Sequence, residues 1–190
     1  MAGKQQIRII AGKWRSRLIR FPNIDGLRPT GDRIRETLFN WLAADIPGSR
    51  CLDLFSGSGA LCFEALSRGA GQCLALEKHP QAIDCLTESK SLLGASGLTI
   101  AHKDSLKYLQ QAPDNPFDIV FIDPPFDLDL INEVCALTEQ NGWIASGGAI
   151  YCELPAQQNN FTPPSNWQVA RNKQSSGVNY ILFRRIEPTA

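Results

Sequence analysis

The sequence predicts an α/β protein whose doubly wound, mostly parallel sheet has seven strands. From residue 50 onward, short apolar runs alternate with amphipathic stretches of helical length, the pattern of right-handed strand–helix–strand units. A glycine-rich turn at residues 56–59 follows the first of these runs. The last two runs have no helix between them, so they predict an antiparallel hairpin at one edge of the sheet.

The individual elements follow from the same pattern of apolar runs and turn signals. Strands are predicted at about 50–55, 72–77, 98–102, 117–122, 147–153, 166–172 and 178–185. Helices are predicted at about 59–69, 80–93, 105–111 and 128–140. Residues 155–166 are rich in Pro, Gln and Asn and predict a surface loop. In the usual doubly wound order the first and fourth strands are neighbours, and their carboxyl ends form the ligand crevice.

The N-terminal part predicts a small extension of this sheet domain. Residues 7–21 alternate loosely between apolar and basic side chains, as short strands or an irregular arm would. A helix is predicted over about 32–45, with Thr30 or Asp32 as its cap. The predicted division is therefore a basic extension over 1–45 and a sheet domain over 46–190.

Charge is distributed unevenly along a chain that is formally neutral overall. Residues 1–35 contain nine Lys and Arg against two acidic residues, whereas the remainder contains ten against seventeen. A basic segment joined to an acidic body indicates an anionic partner at one end of the molecule. The alternative is a solvated basic arm without a partner.

The six cysteines form no Cys-x-x-Cys pair, and most of them lie in apolar runs. They predict neither a disulfide framework nor a metal site, which is typical of a reducing compartment. The first residues contain no hydrophobic signal region, and no apolar run reaches membrane length. We therefore expect a cytoplasmic protein.

The most informative motif is Asp123-Pro124-Pro125-Phe126, which directly follows the predicted strand 117–122. Two prolines end strand pairing because they lack an N–H group, so nearby carbonyl groups become free to face a ligand. The acid and the carbonyl groups can accept hydrogen bonds from an amine, and the aromatic ring can stack on a flat ring. The motif predicts a pocket for an amine-bearing ring.

A second motif lies between the first predicted strand and its helix. Asp53, Phe55, Ser56, Gly57 and Gly59 form the strand–turn–helix corner that binds nucleotides in doubly wound folds. Gly-x-Gly turns also occur without a ligand, and no Gly-Lys-Ser/Thr sequence follows, which excludes a P-loop. The motif therefore indicates a nucleotide-like cofactor only together with other features.

Acids also end the second and third predicted strands. Glu77 lies at the position where an acid commonly accepts hydrogen bonds from ribose hydroxyl groups. Asp104 ends the next strand, and with Ser105 beside it a helix N-cap is the alternative. For Glu77 the alternative is a solvated glutamate at a strand end.

The charges of the motif residues discriminate between possible cofactors. A dinucleotide would bring the two negative charges of its pyrophosphate close to Asp53 and Asp123. S-adenosylmethionine instead carries an ammonium and a sulfonium group, which carboxylates attract. The glycine corner and the Asp-Pro-Pro-Phe pocket at one sheet edge would suit methyl transfer.

With these motifs the chain resembles the class I S-adenosylmethionine-dependent methyltransferases that act on exocyclic amino groups of nucleobases. Two N-terminal segments, RIIAGKWR at 8–15 and LRPTGDRIRETLFNW at 27–41, are similar to the RsmD family of 16S ribosomal RNA guanine-N2 methyltransferases. The stretch 173–185 also fits that family. The resemblance covers nearly the whole chain and implies a Rossmann-like methyltransferase sheet.

The resemblance implies a function for each group of residues. It places Asp123, Pro124, Pro125 and Phe126 at the catalytic centre. It places S-adenosyl-L-methionine at Asp53, Phe55, Ser56, Gly57, Gly59, Glu77, Lys78, Asp104, Ser105, Thr30 and Arg33. It implies 16S ribosomal RNA as the partner, in a small-subunit particle or assembly intermediate, with guanine 966 as the target and a monomeric enzyme without a metal.

We expect RNA phosphates to bind to Arg8, Lys13, Arg15, Arg17 and Arg28. Trp14 lies among these cations and is a candidate for stacking on a base, with packing on the domain as its alternative. Two alternative functions remain: an adenine-N6 methyltransferase acting on DNA or RNA, and a non-catalytic RNA-binding module. A third, a nicotinamide-dependent oxidoreductase, requires a third glycine where Cys62 stands and a corner without acidic crowding, and the sequence meets neither requirement.

Overall fold

The computed structural model describes residues 5–24 and 26–187. The N-terminal segment forms two short antiparallel strands, β1 (Gln5–Arg8) and β2 (Leu18–Phe21). Of the charged residues counted in the N-terminal segment, Lys4 and Asp25 lie outside the described residues. The prediction of short strands in this segment is confirmed.

The sheet domain contains the predicted strands and helices in the predicted order. Its strands are β3 (Arg50–Asp53), β4 (Gln72–Glu77), β5 (Leu98–His102), β6 (Phe117–Ile122), β7 (Ile144–Pro155), β8 (Trp167–Ser175) and β9 (Val178–Arg185). Helix α1 (Asp32–Trp41) lies in the N-terminal extension and ends before the predicted residue 45. The helices of the sheet domain are α2 (Ala60–Ser67), α3 (Pro80–Leu93), α4 (Ser105–Leu109) and α5 (Ile131–Gln140). A 3₁₀ turn, Phe126–Leu128, ends at the first residue of the helix predicted over 128–140, and the helix itself begins three residues later, at Ile131.

The seven strands form one sheet in the order β5-β4-β3-β6-β7-β9-β8. All pairs from β5 to β7 are parallel, whereas β7–β9 and β9–β8 are antiparallel. The first and fourth strands of the sheet domain, β3 and β6, are direct neighbours. The predicted doubly wound order and the edge hairpin are confirmed.

Each face of the sheet has its own buried core. One core contains Cys51, Phe121 and Tyr151 together with apolar residues of α1, α2 and α3. The opposite core contains residues that alternate with these along the strands, and it packs against α4 and α5. Helix α1 covers the first face at β6 and β9. The ring centroids of Phe39 and Phe121 are 6.0 Å apart there, and the ring of Trp41 stacks on that of Tyr180 with a centroid separation of 5.5 Å.

The N-terminal arm, residues 5–21, packs on the same face as α1. Its residues Ile9, Trp14, Ile19 and Phe21 are buried in the core that α2 and α3 also line. Gly12 lies directly against the end of α2: a Cβ atom built there would be 1.9 Å from the carbonyl oxygen of Ser67. The arm therefore approaches α2 at backbone distance, and glycine is required at that point.

Two buried charged residues join the arm to the helices. The Glu64 carboxylate on α2 accepts hydrogen bonds from the backbone N–H groups of Ile10 and Ala11, at 2.8 and 3.0 Å. It also lies 3.5 Å from a guanidinium nitrogen of Arg35 on α1. Because both side chains are fully buried, the pair fixes the arm, α1 and α2 relative to one another.

Candidate active site

Three acidic side chains meet at the carboxyl edge of the sheet. Asp53 on β3 is level with Phe121 on β6, which in turn is level with Tyr151 on β7. Asp123 and Glu153 lie two positions beyond Phe121 and Tyr151, so all three acids project from the same face. The glycine corner and the Asp-Pro-Pro-Phe segment thus leave the sheet from adjacent strands at one edge.

Asp123 is held at this edge by a residue from outside the sheet. The Thr30 hydroxyl, just before α1, donates a hydrogen bond of 3.2 Å to Oδ2 of Asp123. Desolvation is the largest cause that raises the pKa of Asp123 well above its usual value, and the charges of Glu153 and Asp53 raise it further. The carboxyl therefore lies in an enclosed, acidic environment that favours its protonated form.

Asp53 is buried at the end of β3. Desolvation raises the pKa of its carboxyl to about 7, although a hydrogen bond from the Phe55 backbone opposes the shift. The negative charge of Glu77 adds to the increase. A cation placed beside these acids would reverse the shift by stabilising their ionised forms.

The turn after β3 has the geometry of a tight glycine loop. Gly57 and Gly59 both have positive φ, at 47° and 79°. A Cβ atom on Gly59 would lie 2.6 Å from Leu86 and 2.7 Å from Phe63, so the close packing of α2 and α3 also requires glycine there. The Ser56 hydroxyl is buried and donates to the carbonyl oxygen of Asp53, which closes the turn.

Glu77 holds this loop from the neighbouring strand. Its two carboxylate oxygens accept hydrogen bonds from the backbone N–H groups of Gly57, Lys78 and His79, at 2.7–2.8 Å. A carboxylate has about four acceptor positions, so one position remains for a donor such as a ribose hydroxyl. The Lys78 side chain is exposed at the same edge.

The two candidate residues that follow β5, Asp104 and Ser105, have structural partners. The Asp104 side chain caps α4 by accepting a hydrogen bond from the Lys107 N–H at 3.1 Å. Ser105 is buried, and its hydroxyl donates to the carbonyl oxygen of Leu54, which joins α4 to the loop after β3. The N-cap alternative for Asp104 is thereby confirmed, and a role in cofactor binding stays a prediction for both residues.

The segment before α1 covers the glycine loop. The Leu27 side chain lies 3.6 Å from the position that a Cβ on Gly57 would take. Arg35 donates to the carbonyl oxygens of Thr30 and Arg8, at 3.1 and 3.0 Å, and thereby fixes the cover to the arm. Arg33 is exposed on the outer surface of α1.

The Asp-Pro-Pro-Phe segment combines a buried base with an exposed aromatic ring. Pro124 is buried and Pro125 is half-buried, whereas Phe126 is 43% exposed at the start of the 3₁₀ turn. Phe126 can therefore offer one face of its ring to a planar ligand.

Glu153 and Tyr151 are site residues that the sequence interpretation missed. Glu153 is buried, and the Tyr151 hydroxyl donates a hydrogen bond of 2.8 Å to its Oε1. Burial raises the pKa of Glu153, while the hydrogen bond from Tyr151 lowers it. The signal available in the sequence was an acid, Glu153, at the end of the strand predicted over 147–153.

The candidate RNA-binding residues separate into exposed cations and one buried aromatic. Arg8, Lys13, Arg15, Arg17 and Arg28 are all exposed. Trp14 is only 7% exposed and packs in the core, with Nζ of Lys13 4.1 Å from its ring centroid. The expectation that Trp14 stacks on a base is therefore corrected, because the body of the domain already covers the ring.

A separate cavity of about 370 Å³ opens at the edge of the sheet where the parallel strands begin, near Gly48, Ser146 and Gly148. Its one arginine, Arg184, forms a bidentate ion pair with Asp45, at 2.6 and 2.9 Å. This cavity lies away from the acids and the glycine loop, so we assign it no part in the candidate active site.

The parallel sheet with its antiparallel edge, the glycine loop and the acids at successive strand ends define a Rossmann-like methyltransferase fold. The family described as "Conserved hypothetical protein 95" matches residues 7–184, and the chain belongs to it. This agrees with the RsmD resemblance found in the sequence. None of the described helices is long and apolar enough to span a membrane.

Two curated relatives extend the comparison over nearly the full chain. "Ribosomal RNA small subunit methyltransferase D" of Escherichia coli strain K12 is 42% identical over 184 residues, which cover 97% of this chain and 92% of the relative. The Haemophilus influenzae protein of the same name is 41% identical over 184 residues, covering 95% of each chain.

Solved structures show the same architecture. The Escherichia coli protein yhhF, provisionally described as a methyltransferase, superposes with a TM-score of 0.87 at 41% identity and covers 97% of this chain and 100% of its own. An RNA methyltransferase from Salinibacter ruber in complex with S-adenosyl-L-homocysteine superposes with a TM-score of 0.65, covering 86% of this chain and 97% of its own. At 13% identity the latter shows the shared fold alone.

Proposed function

We propose that this protein transfers a methyl group from S-adenosyl-L-methionine to the exocyclic N2 amine of one guanine in 16S ribosomal RNA. The proposed target is guanine 966, as the family resemblance implies. The observation that carries the proposal is the position of the glycine loop and the Asp-Pro-Pro-Phe segment on adjacent strands, at one edge and on one face of the sheet. The names of the curated relatives support the class of reaction and substrate.

The charges and shape of the site fit S-adenosyl-L-methionine. Asp53 and Asp123 are acids with raised pKa values that a cationic ligand would lower. Gly57 allows close approach of a ligand to the loop, and Glu77 keeps one acceptor position for a ribose hydroxyl. When bound, this cofactor supplies the activated methyl group.

The Asp-Pro-Pro-Phe segment positions the amine that receives the methyl group. Guanine N2 is a weak nucleophile because its lone pair is delocalised into the ring. Asp123 and the Pro124 carbonyl oxygen accept hydrogen bonds from this amine and stabilise the positive charge that develops on it. Phe126 stacks on the base, which must first leave its own stack to reach the pocket.

The N-terminal extension, residues 1–45, docks the RNA and covers the cofactor. Its exposed cations Arg8, Lys13, Arg15, Arg17 and Arg28 bind phosphates without reading sequence. Thr30 and Leu27 close the cofactor pocket from the same segment. The enzyme acts as a cytoplasmic monomer on a small-subunit particle or assembly intermediate.

The test supplies methyl-labelled S-adenosyl-L-methionine to the purified protein together with unmodified 16S ribosomal RNA, small-subunit particles or DNA. Nucleoside mass spectrometry of the products should detect N2-methylguanine in the ribosomal RNA samples only. N6-methyladenine in any of the substrates would instead support the adenine methyltransferase. Binding of RNA without transfer to any substrate would support the non-catalytic RNA-binding module.

A further inference from the structure

We propose that the outer strand β8 carries a second RNA-phosphate surface, formed by Arg171 and Lys173, on the side of the active site opposite the N-terminal arm. The inference rests on the proposed function, because it assigns a further contact to the same RNA substrate. It concerns residues that the RNA prediction from the sequence did not include.

The strand register places both cations on the catalytic face of the sheet. Lys173 on β8 is level with Tyr180 on β9, which is level with Glu153 on β7. Likewise, Arg171 is level with Leu182, which is level with Tyr151. Residues directly opposite one another share a face, so both cations project from the face that carries Asp123 and Glu153.

The same register places these cations near the pocket. Neighbouring strands lie about 4.8 Å apart, so Lys173 is about 10 Å from Glu153 and about 15 Å from Asp123, backbone to backbone. The side chain of Lys173 is long and flexible, so its ammonium group can lie closer to the pocket than its backbone does. A nucleotide close in sequence to the flipped base can therefore bring its phosphate to Lys173.

Both side chains are accessible to a ligand, and the Arg171 guanidinium donates one hydrogen bond of 2.7 Å to the carbonyl oxygen of its neighbour Ala170. Helix α1 covers β6 and β9 through Phe39 and Trp41, but residues 171–174 of β8 are exposed. Within the described part of the chain, no carboxylate lies within salt-bridge distance of Arg171 or Lys173.

The cations on the neighbouring strand differ in this respect. Arg184 and Arg185 on β9 are paired with Asp45 and Glu139. Strand β8 contains two cations and no acid, so its exposed surface is complementary to a polyanion.

The position of β8 complements that of the arm. The arm packs on α2 through Gly12 and on α3 through β2, beside β3, β4 and β5. Strand β8 is the last strand at the other end of the sheet. The pocket at β3, β6 and β7 lies between the two basic surfaces, so an RNA segment bound across it would be held on both sides.

The test compares the double variant Arg171→Gln/Lys173→Gln with the control Lys107→Gln. Lys107 is also exposed, but it belongs to α4, which packs on the opposite face of the sheet. Binding of 16S ribosomal RNA is measured across a range of salt concentrations, and cofactor affinity is measured in parallel. Circular dichroism checks that the variants remain folded.

We expect the double variant to bind RNA roughly five- to twenty-fold more weakly at physiological salt. The slope of log affinity against log salt should fall by about one to two, because up to two phosphate contacts are lost. The control should match the wild type in both measurements, and cofactor affinity should not change in either protein. A double variant with wild-type affinity and wild-type salt slope would overturn the inference.

Failure of the proposed function would look different. If the wild-type protein transferred no methyl group to ribosomal RNA, the proposed function would fail irrespective of β8. If the wild type methylated the RNA and the double variant bound it equally well, only the inference about β8 would fail.

Discussion

At the scale of single residues, Asp123 has the surroundings of a group adapted to hold an amine. It receives the Thr30 hydroxyl, lies two positions beyond Phe121 on β6 and faces Glu153 and Asp53. In this environment a cationic or hydrogen-donating partner would stabilise the ionised form of the carboxyl. Two substitutions separate its direct role from that of its neighbour.

Asp123→Asn should reduce the methyl-transfer rate roughly 100- to 1,000-fold, the range for loss of one transition-state hydrogen-bonding group. The side chain keeps its shape, so cofactor binding should survive. Single-turnover kinetics with saturating RNA would measure the rate, and calorimetry would measure cofactor affinity. Wild-type turnover of this variant would contradict the assigned role.

Thr30→Val should lower the transfer rate by about five-fold, since it removes a hydrogen bond of about 1 kcal/mol to Asp123 while filling the same volume. Thr30→Ser keeps the hydroxyl and serves as the matched control. The rates of the two variants, measured side by side, test the contact. Equal rates for Val and Ser would show that the hydroxyl does not position the acid.

At the scale of elements, regular periodicity made the sheet domain predictable. The strand 72–77 was predicted at its observed bounds, because an apolar run lies between a glycine and an acid at a strand end. The segment predicted as a helix over 128–140 begins instead with a 3₁₀ turn, and Asp129 with positive φ separates it from α5. Sequence periodicity does not register such a break within one apolar stretch.

The site was predictable only where a motif marks it. The acids and glycines of the two loops follow strands and were recognised, whereas Glu153 lies in a strand without a motif and becomes visible only from the register. Burial of Trp14 likewise depends on the contact of the arm with α2, which joins residues 53 positions apart in the sequence. Local pattern carries no information about such distant contacts.

Gly12→Ala should separate the arm from α2, because the added methyl group would lie 1.9 Å from a backbone oxygen. We expect a loss of several kcal/mol in stability or release of the arm, with faster proteolysis between residues 5 and 21. Gly142→Ala is the control: its φ is also positive, at 72°, but nothing lies within 4 Å of the added atom. It should cost only about 1–2 kcal/mol. Similar thermal unfolding and proteolysis of the two variants would refute the steric explanation.

At the scale of the whole molecule, the acids of the active site make stability depend on pH. Between an unfolded pKa of 3.8 and a folded pKa of about 7, Asp53 holds a proton in the folded protein that the unfolded chain has lost. The raised pKa values of Asp123 and Glu153 act in the same direction. Stability of the cofactor-free protein should therefore fall as pH rises from about 4 to about 7.

Thermal unfolding between pH 5 and pH 8 would measure this effect, for which we expect a decrease in Tm on the order of 5 °C. Asp53→Asn should flatten the curve, because the amide does not titrate. Saturating S-adenosyl-L-methionine should also flatten it, since a cationic ligand favours the ionised acids. An Asp53→Asn protein with the wild-type slope would contradict the assignment.

The buried pair Arg35–Glu64 limits how this enzyme can be re-engineered. Glu64 depends on N–H groups of the arm, and Arg35 connects the same arm to Thr30. A chimera that received only the first thirty residues of a distant homologue would have to reproduce these hydrogen bonds, because otherwise a buried charge would lack its partners. Grafting a new RNA specificity onto this scaffold therefore requires exchanging the arm, α1 and α2 as one unit.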